Sequence, residues 1–203
     1  MQPSVLENRL DKPTGPFEKA SYGSRMLKQY VGFLAKRVNS EILDIGPVCG
    51  KNIEFFLGHA AKLHVHDVMT QTHSGNQATQ WPAALLEELA YENNSLDGIH
   101  VWDLHDHISN HDLSSVVQKL WSLLKPHGVV VMIASNVSGL QPFPQYFKIG
   151  EELTVTLQKS MVRRLPYYYR PNRAIEKAMQ PLVQICSAIC TNGVREFLFR
   201  RQR

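Results

Sequence analysis

The sequence predicts an α/β domain built on a mostly parallel, doubly wound sheet. Three observations predict it. Short apolar runs alternate with amphipathic helical stretches as far as about residue 135, the pattern of βαβ units. One run, GVVVMIA (128–134), is apolar throughout, as expected of a strand covered on both faces of a parallel sheet. The end of the chain behaves differently. VQICSAIC and VREFLFRR are strand-like and flank Thr191-Asn192-Gly193, where Asn-Gly favours the positive backbone angles of a tight hairpin. An antiparallel hairpin therefore closes the sheet.

The elements follow in order. Residues 1–23 carry Pro3, Pro13, Gly15 and Pro16 and read as an irregular lead-in. From Ser24 onward Leu27, Tyr30, Val31 and Leu34 fall at helical spacing, which predicts a helix of about four turns. Residues 41–45 form the first strand. Helical spacing resumes after Gly50 with Ile53, Phe56 and Leu57. Residues 61–68 make a second strand ending near Asp67. Residues 82–90 are helical, with Pro82 in the first position. Residues 95–104 are a third strand. Residues 112–125 are the clearest helix, capped by Asp112, with Leu113, Val116, Val117, Leu120 and Leu124 on its buried face. KPHG breaks it before the 128–134 strand. GLQPFPQYF (139–147) is a proline-marked loop, LTVTLQ (153–158) alternates like a strand, and NRAIEKAM (172–179) is a short helix. The whole reads as one domain: the lead-in, a βαβ core over 24–135, and a C-terminal section over 136–203.

Bulk properties narrow the class. A chain of 203 residues with 43% apolar and 20% charged residues suits a globular domain with a real core. No apolar run approaches the ~20 residues that span a bilayer. The N-terminus lacks the apolar stretch of a secretory signal, so a cytoplasmic protein with no membrane partner is expected. Cys49, Cys186 and Cys190 form no CxxC pair, which argues against a zinc or disulfide framework. Charge is uneven. Residues 1–140 hold eleven Lys/Arg against fourteen Asp/Glu, a net of −3, while residues 141–203 hold eleven against four, a net of +7. A basic section suits an anionic partner, but no nucleic-acid motif accompanies it, and a solvated basic face is the plainer reading.

The chemistry centres on EILDIGPVCGKNIEFF (41–56). Gly46 and Gly50 bracket the turn that leaves the first strand, and glycine there permits close backbone approach to a ligand. Asp44 stands two residues before the first glycine, where a carboxylate suits a cationic ligand better than a phosphate. Asp67 ends the next strand, 21 residues after Gly46. A carboxylate in that position accepts both hydroxyls of a ribose in doubly wound nucleotide-binding folds. Together these residues suggest a ligand with a ribose and a positively charged tail.

That combination resembles the class I S-adenosylmethionine-dependent methyltransferases. ILDIGPVCG resembles their first motif, acidic-x-Gly-x-Gly-x-Gly, and HVHD the second strand with its ribose-binding acid. LDGIHVWDLHDHI resembles the fourth strand running into the site, and LWSLLKPHGVVVMIAS the helix-turn-strand that follows. NRAIEK and CTNGVREFLFRR resemble the closing helix and hairpin. The resemblance runs from about residue 25 to the C-terminus. It implies a Rossmann-like sheet of seven strands, S-adenosyl-L-methionine as cofactor, and methyl transfer to an unidentified acceptor; the fold hosts small-molecule, protein and nucleic-acid acceptors alike, and a small molecule is favoured over a nucleic acid. It also implies roles. Asp44 would face the amino group of the cofactor's methionine part, and Gly46, Pro47 and Gly50 would shape the turn. Asp67 would hold the ribose with Val68 beside it, and Trp102 and Asp103 would line the adenosine. Two departures stand out. Val48 replaces the middle glycine, and no acid matches the one that binds the adenine amino group, since Glu87 and Glu88 lie in a predicted helix. They suit an alternative, a non-catalytic protein of the same fold that uses its basic C-terminal surface. A nicotinamide oxidoreductase fits less well, because Asp44 and the terminal hairpin are foreign to it.

A general base, where methyl transfer uses one, would lie after the third strand. Asp103, His105 and His107 are the candidates. The simpler expectation leaves Asp103 ordering the cofactor and both imidazoles facing solvent. His64 and His66 share a strand face, but nothing in the spacing converges three or four ligands on a metal, and none is expected. RRLPYYYRPNR (163–173) mixes basic and aromatic residues as single-strand binders do. It equally suits a substrate-facing loop or a surface segment over packed tyrosines.

Overall fold

The computed structural model describes residues 21–68, 81–134, 145–159, 165–190 and 193–203. Its elements in chain order are β1 (Ser21–Gly23), α1 (Arg25–Leu34), β2 (Glu41–Gly46), α2 (Gly50–Leu57), β3 (Lys62–Asp67), α3 (Trp81–Glu88) and β4 (Leu96–Trp102). They continue with α4 (Asn110–Leu123), β5 (Leu124–Ala134), β6 (Gln145–Ile149), β7 (Thr154–Lys159), α5 (Asn172–Ala178), β8 (Val183–Ile189) and β9 (Arg195–Arg200). Short 3₁₀ turns cover His105–His107 and Glu151–Leu153.

The main sheet runs β3-β2-β4-β5-β9-β8. The first four strands are mutually parallel; β9 lies antiparallel to β5, and β8 antiparallel to β9. The expected hairpin is therefore present. Gly193 has φ 81°, its N–H donates to the Cys190 carbonyl, and the Cys190 N–H donates to Val194. The described sheet has six strands rather than seven. Between α3 and β4 lie only residues 89–95, polar through Glu92, Asn93 and Asn94, and Asn94 takes a left-handed φ of 57°. That is a turn, too short for a further strand and its return.

Alternation in the strands divides the core. Leu43, Ile45, Ile99, Val101, Val130 and Met132 face α3, α4 and α5. Ile42, Trp102, Val129, Val131, Ile133 and Leu198 face α1, α2 and a second sheet. Burying such side chains stabilises by about 1.5–3 kcal/mol each. β5 and β9 are buried on both faces, so their apolar runs are continuous.

The second sheet, β1-β7-β6, is antiparallel throughout and was not legible as a unit. Two expectations change with it. Ser21–Gly23, assigned to the lead-in, pairs with Thr154–Thr156, and the end of the proline-marked loop is strand β6. Asn52, fully buried in α2, latches β6: its Nδ2 donates to the Phe147 carbonyl (2.9 Å) and its Oδ1 accepts from the Ile149 N–H (2.8 Å). The helix ends also shift. Ser24 caps α1 through a bond from the Leu27 N–H, and the helix stops after about three turns. Ser109, not Asp112, caps α4. The Ser109 hydroxyl accepts from the Asp112 N–H and donates to the Asp112 carboxylate, one turn of reciprocal capping.

Candidate functional site

The carboxyl ends of β2, β3 and β4 lie side by side. β2 is the strand from which the chain departs to β3 on one side and β4 on the other. Ligands of open α/β sheets bind at such a switch point. Parallel register places Gly46 directly opposite Asp67, and Ile45 opposite Val101, so the turn, the second acid and the end of β4 share one edge.

The turn is built in two halves. Gly46 faces inward. A Cβ built there would lie 2.5 Å from Cδ1 of Trp102, whose side chain occupies that space. Trp102 is 1% exposed and stacks on Phe147 with centroids 5.3 Å apart and planes at 14°. Its indole N–H donates to Asp44 Oδ1 at 2.8 Å, and His100 Nδ1 lies 3.0 Å from the same oxygen. An ionised carboxylate only accepts, so that imidazole nitrogen carries the proton. Asp44 itself is 3% exposed. The outer half is open: Pro47 is buried, but Val48 is 39% exposed and nothing lies within 4 Å of a Cβ on Gly50. Cys49 precedes α2 without capping it. Val48 does not crowd the interior, whereas Trp102 fills it.

Asp67 is half-buried at the end of β3, and Val68 turns into the core with Leu43 and Ile45. Asp103 follows β4 at a left-handed φ of 41°, its N–H donating to the Ile133 carbonyl at 2.7 Å. The expectation that the nearby histidines face solvent is overturned: His105, His107 and Asp103 are all buried. The reason is the loop 165–170, which lies over the 3₁₀ turn. Its Tyr168 N–H donates to the Asp106 carbonyl, and Arg170 donates to the Ile108 carbonyl and Asn110 Oδ1, both at 2.7 Å. Arg195 Nη2 bonds Asp106 Oδ2 at 2.7 Å and Nη1 bonds the Arg170 carbonyl. Burial pushes the Asp106 carboxyl up, but His105, Arg195 and Arg170 outweigh it and hold it below its usual range.

Nδ1 of His107 lies 3.0 Å from the Pro166 carbonyl, which only accepts, so Nδ1 carries a proton. Nε2 is buried without a hydrogen-bond partner, 4.0 Å from Asp103 Oδ2. Tyr167 packs against this ring, and burial with the nearby Asp106 and Asp103 pushes its hydroxyl up to about 12. On the helical face a void of about 20 Å³ lies between Ile45, Val101, Leu104, His105 and Met179, room for a water but not a nucleoside.

Other residues have structural duties. His64 bonds Glu41 (2.6 Å) and His66 bonds the Tyr91 hydroxyl (2.7 Å) on β3. Among the described residues no three His, Cys, Asp or Glu are grouped to hold a metal. Asp97 lies at the opposite end of β4 from the site, accepting from the Glu41 N–H and Lys125 Nζ. Part of the C-terminal positive charge is internal: Arg170 and Arg195 are buried, and Arg201 covers Trp121 and donates to Asn94 Oδ1. Tyr168 and Tyr169 are exposed, not packed beneath the loop. Among the described residues no helix is long and apolar enough to cross a membrane. Asn52, His100, Phe147 and the Asp106–Arg195 pair were missed from sequence. A histidine inside the apolar run GIHVW was the one visible signal.

No family model and no curated protein matches the sequence. Solved structures do match. An S-adenosylmethionine-dependent methyltransferase from Mesorhizobium loti superposes with a TM-score of 0.56 at 14% identity, over 88% of this chain and 99% of that one. The N-methyltransferase NodS from Bradyrhizobium japonicum gives 0.54 at 16% identity, over 87% and 94%. The 1,6-didemethyltoxoflavin-N1-methyltransferase of Burkholderia thailandensis, solved with 1,6-didemethyltoxoflavin and S-adenosylhomocysteine, gives 0.51 at 11%, over 88% and 79%. Strand order, closing hairpin and superposition agree: this chain has the Rossmann-like fold of the class I S-adenosylmethionine-dependent methyltransferases.

Proposed function

We propose that the protein binds S-adenosylmethionine at the carboxyl edge of β2, β3 and β4 and transfers its methyl group to a small-molecule acceptor. The observation that carries this is the pairing of Gly46 with Asp67 across the β2–β3 ladder, which sets the glycine turn and a carboxylate side by side at one edge of the sheet. Asp67 holds the ribose hydroxyls. The open outer half of the turn, Val48 to Gly50, admits the ligand backbone-close. In this reading the nucleoside half of the cofactor lies toward Asp67 and the methionine half meets Trp102.

The cofactor supplies an already activated methyl on a sulfonium. The protein's part is alignment and exclusion of water, and alignment of that kind is worth roughly 7–11 kcal/mol. Asp103 sits at the edge nearest the crevice. His107 is the candidate base: the Pro166 carbonyl holds its Nδ1, and its buried Nε2 would take the proton an acceptor loses. The small-molecule acceptor is supported by the fold neighbours that methylate such compounds.

The test is calorimetric titration of the folded protein with S-adenosylhomocysteine. Saturable one-to-one binding, strongly weakened in Asp67→Ala, is expected. No heat with either S-adenosylhomocysteine or S-adenosylmethionine overturns the proposal and leaves the non-catalytic reading of the fold.

A further inference from the structure

We infer that Trp102 is a built-in plug of the cofactor crevice, held shut by Asp44 and Phe147, and that cofactor binding requires its indole to leave Gly46. This rests on the cofactor reading above and adds a closed state to it.

Three contacts define the closed state. The side chain of Trp102 occupies the volume that the missing side chain of Gly46 leaves empty, with Cδ1, Cβ and Cγ at 2.5, 2.8 and 2.9 Å from a Cβ built there. The indole N–H and His100 Nδ1 both engage Oδ1 of Asp44, a buried carboxylate at the base of the turn. Phe147 stacks flat on the ring from β6, and Asn52 fixes β6 to α2 by two backbone bonds. Each contact is satisfied by the protein's own atoms. The inner half of the turn is therefore complete without a ligand, while the outer half at Gly50 stays open.

A cationic group reaching Oδ1 of Asp44 must displace the indole N–H or His100 from it, and any atom entering the side-chain face of Gly46 must displace Trp102. Ligand and plug compete for one volume and one acceptor. The apparent affinity is then the intrinsic affinity multiplied by the fraction of molecules in which the plug is out. Removing the plug raises that fraction toward one. Phe147 and Asn52 act through Trp102 as positioning residues and touch no ligand.

The experiment compares S-adenosylhomocysteine binding by the full chain and by Trp102→Ala, Trp102→Phe and Phe147→Ala, each checked for folding by circular dichroism. Trp102→Ala and Phe147→Ala are expected to bind at least tenfold tighter than wild type, and Trp102→Phe, which keeps a ring but loses the N–H, by a smaller factor. Equal or weaker binding by the folded variants, with wild type binding normally, overturns the plug and leaves the cofactor site intact. No binding by wild type or any folded variant overturns the cofactor reading as well. Should the alanine variants not fold, ¹⁹F spectra of wild type carrying fluorotryptophan decide: the resonance missing in Trp102→Phe must shift on saturation with S-adenosylhomocysteine, and an unmoved resonance overturns the plug.

Discussion

The indole of Trp102 and the α-carbon of Gly46 are packed so closely that any side chain at position 46 would fall inside the ring's van der Waals boundary. The first glycine of the turn is thus required by the protein's own core. The second, Gly50, is not: open space surrounds it. Gly46→Ala is expected to destabilise the protein by about 1–3 kcal/mol through overpacking, while Gly50→Ala stays within about 0.5 kcal/mol, as surface changes do. Denaturant unfolding of the two variants side by side checks this.

Asp67 lies at the crest of β3, half-buried and opposite Gly46. A hydrogen bond to a charged acceptor contributes about 1.5–3 kcal/mol, and two ribose hydroxyls would share it. Asp67→Ala is therefore expected to weaken S-adenosylhomocysteine binding by roughly tenfold or more, at about 1.4 kcal/mol per factor of ten. Titration calorimetry gives the affinity, and thermal unfolding of the unliganded variant shows whether the loss is local.

Asn52 is the only link described between the side chain of α2 and the backbone of β6 that satisfies a donor and an acceptor together. Asn52→Ala leaves the Phe147 carbonyl and the Ile149 N–H unpaired in a buried site, at about 1–3 kcal/mol for each orphaned group. Hydrogen exchange should report the loss first as faster exchange in β6 and β7, ahead of the main sheet.

Asp106 carries a pH dependence whose sign follows from its neighbours. Burial, the largest influence, raises its pKa, but His105, Arg195 and Arg170 together bring it below the usual value. A folded pKa lower than the unfolded ~3.9 adds stability that is present above that pH. It is lost as the pH falls through the folded pKa. Asp106→Asn is expected to flatten stability between pH 5 and about pH 2. It should also cost about 3–5 kcal/mol at neutral pH, because Arg195 then loses its buried counter-charge. Urea unfolding across that pH range is the measurement.

His107 offers a spectroscopic check. With Nδ1 donating to Pro166, nitrogen-15 shifts of the labelled protein are expected to show a protonated Nδ1 for this ring. The reverse tautomer would remove Nε2 as an acceptor of protons.

Much of this architecture could be written down from residue order. The alternation of apolar runs and helical stripes, the acid at the end of each of two strands, and Asn192-Gly193 before VREFLFRR all express local rules of period and turn chemistry, and they placed the parallel strands and the closing hairpin. Boundaries moved by a few residues where a local competitor prevailed, as when Ser109, three residues before the expected Asp112, capped α4. The β1-β7-β6 sheet was hidden because its strands are short, β1 lies more than a hundred residues from β6 and β7, and the asparagine that latches β6 to α2 has backbone partners.

By itself the sequence determined the fold class and the edge of the sheet on which chemistry can happen. Those follow from hydrophobic period and from glycine and acid spacing, which act within a few residues along the chain. Tertiary structure decided what each site residue does there. Asp44 turned to its own tryptophan, His105 and His107 went under the 165–170 loop, and Arg170 and Arg195 of the basic C-terminal section turned inward to Asp106 and backbone carbonyls. The physical reason is that a polar side chain's role depends on which donor or acceptor reaches it first, and those partners lie on strands that only folding brings together.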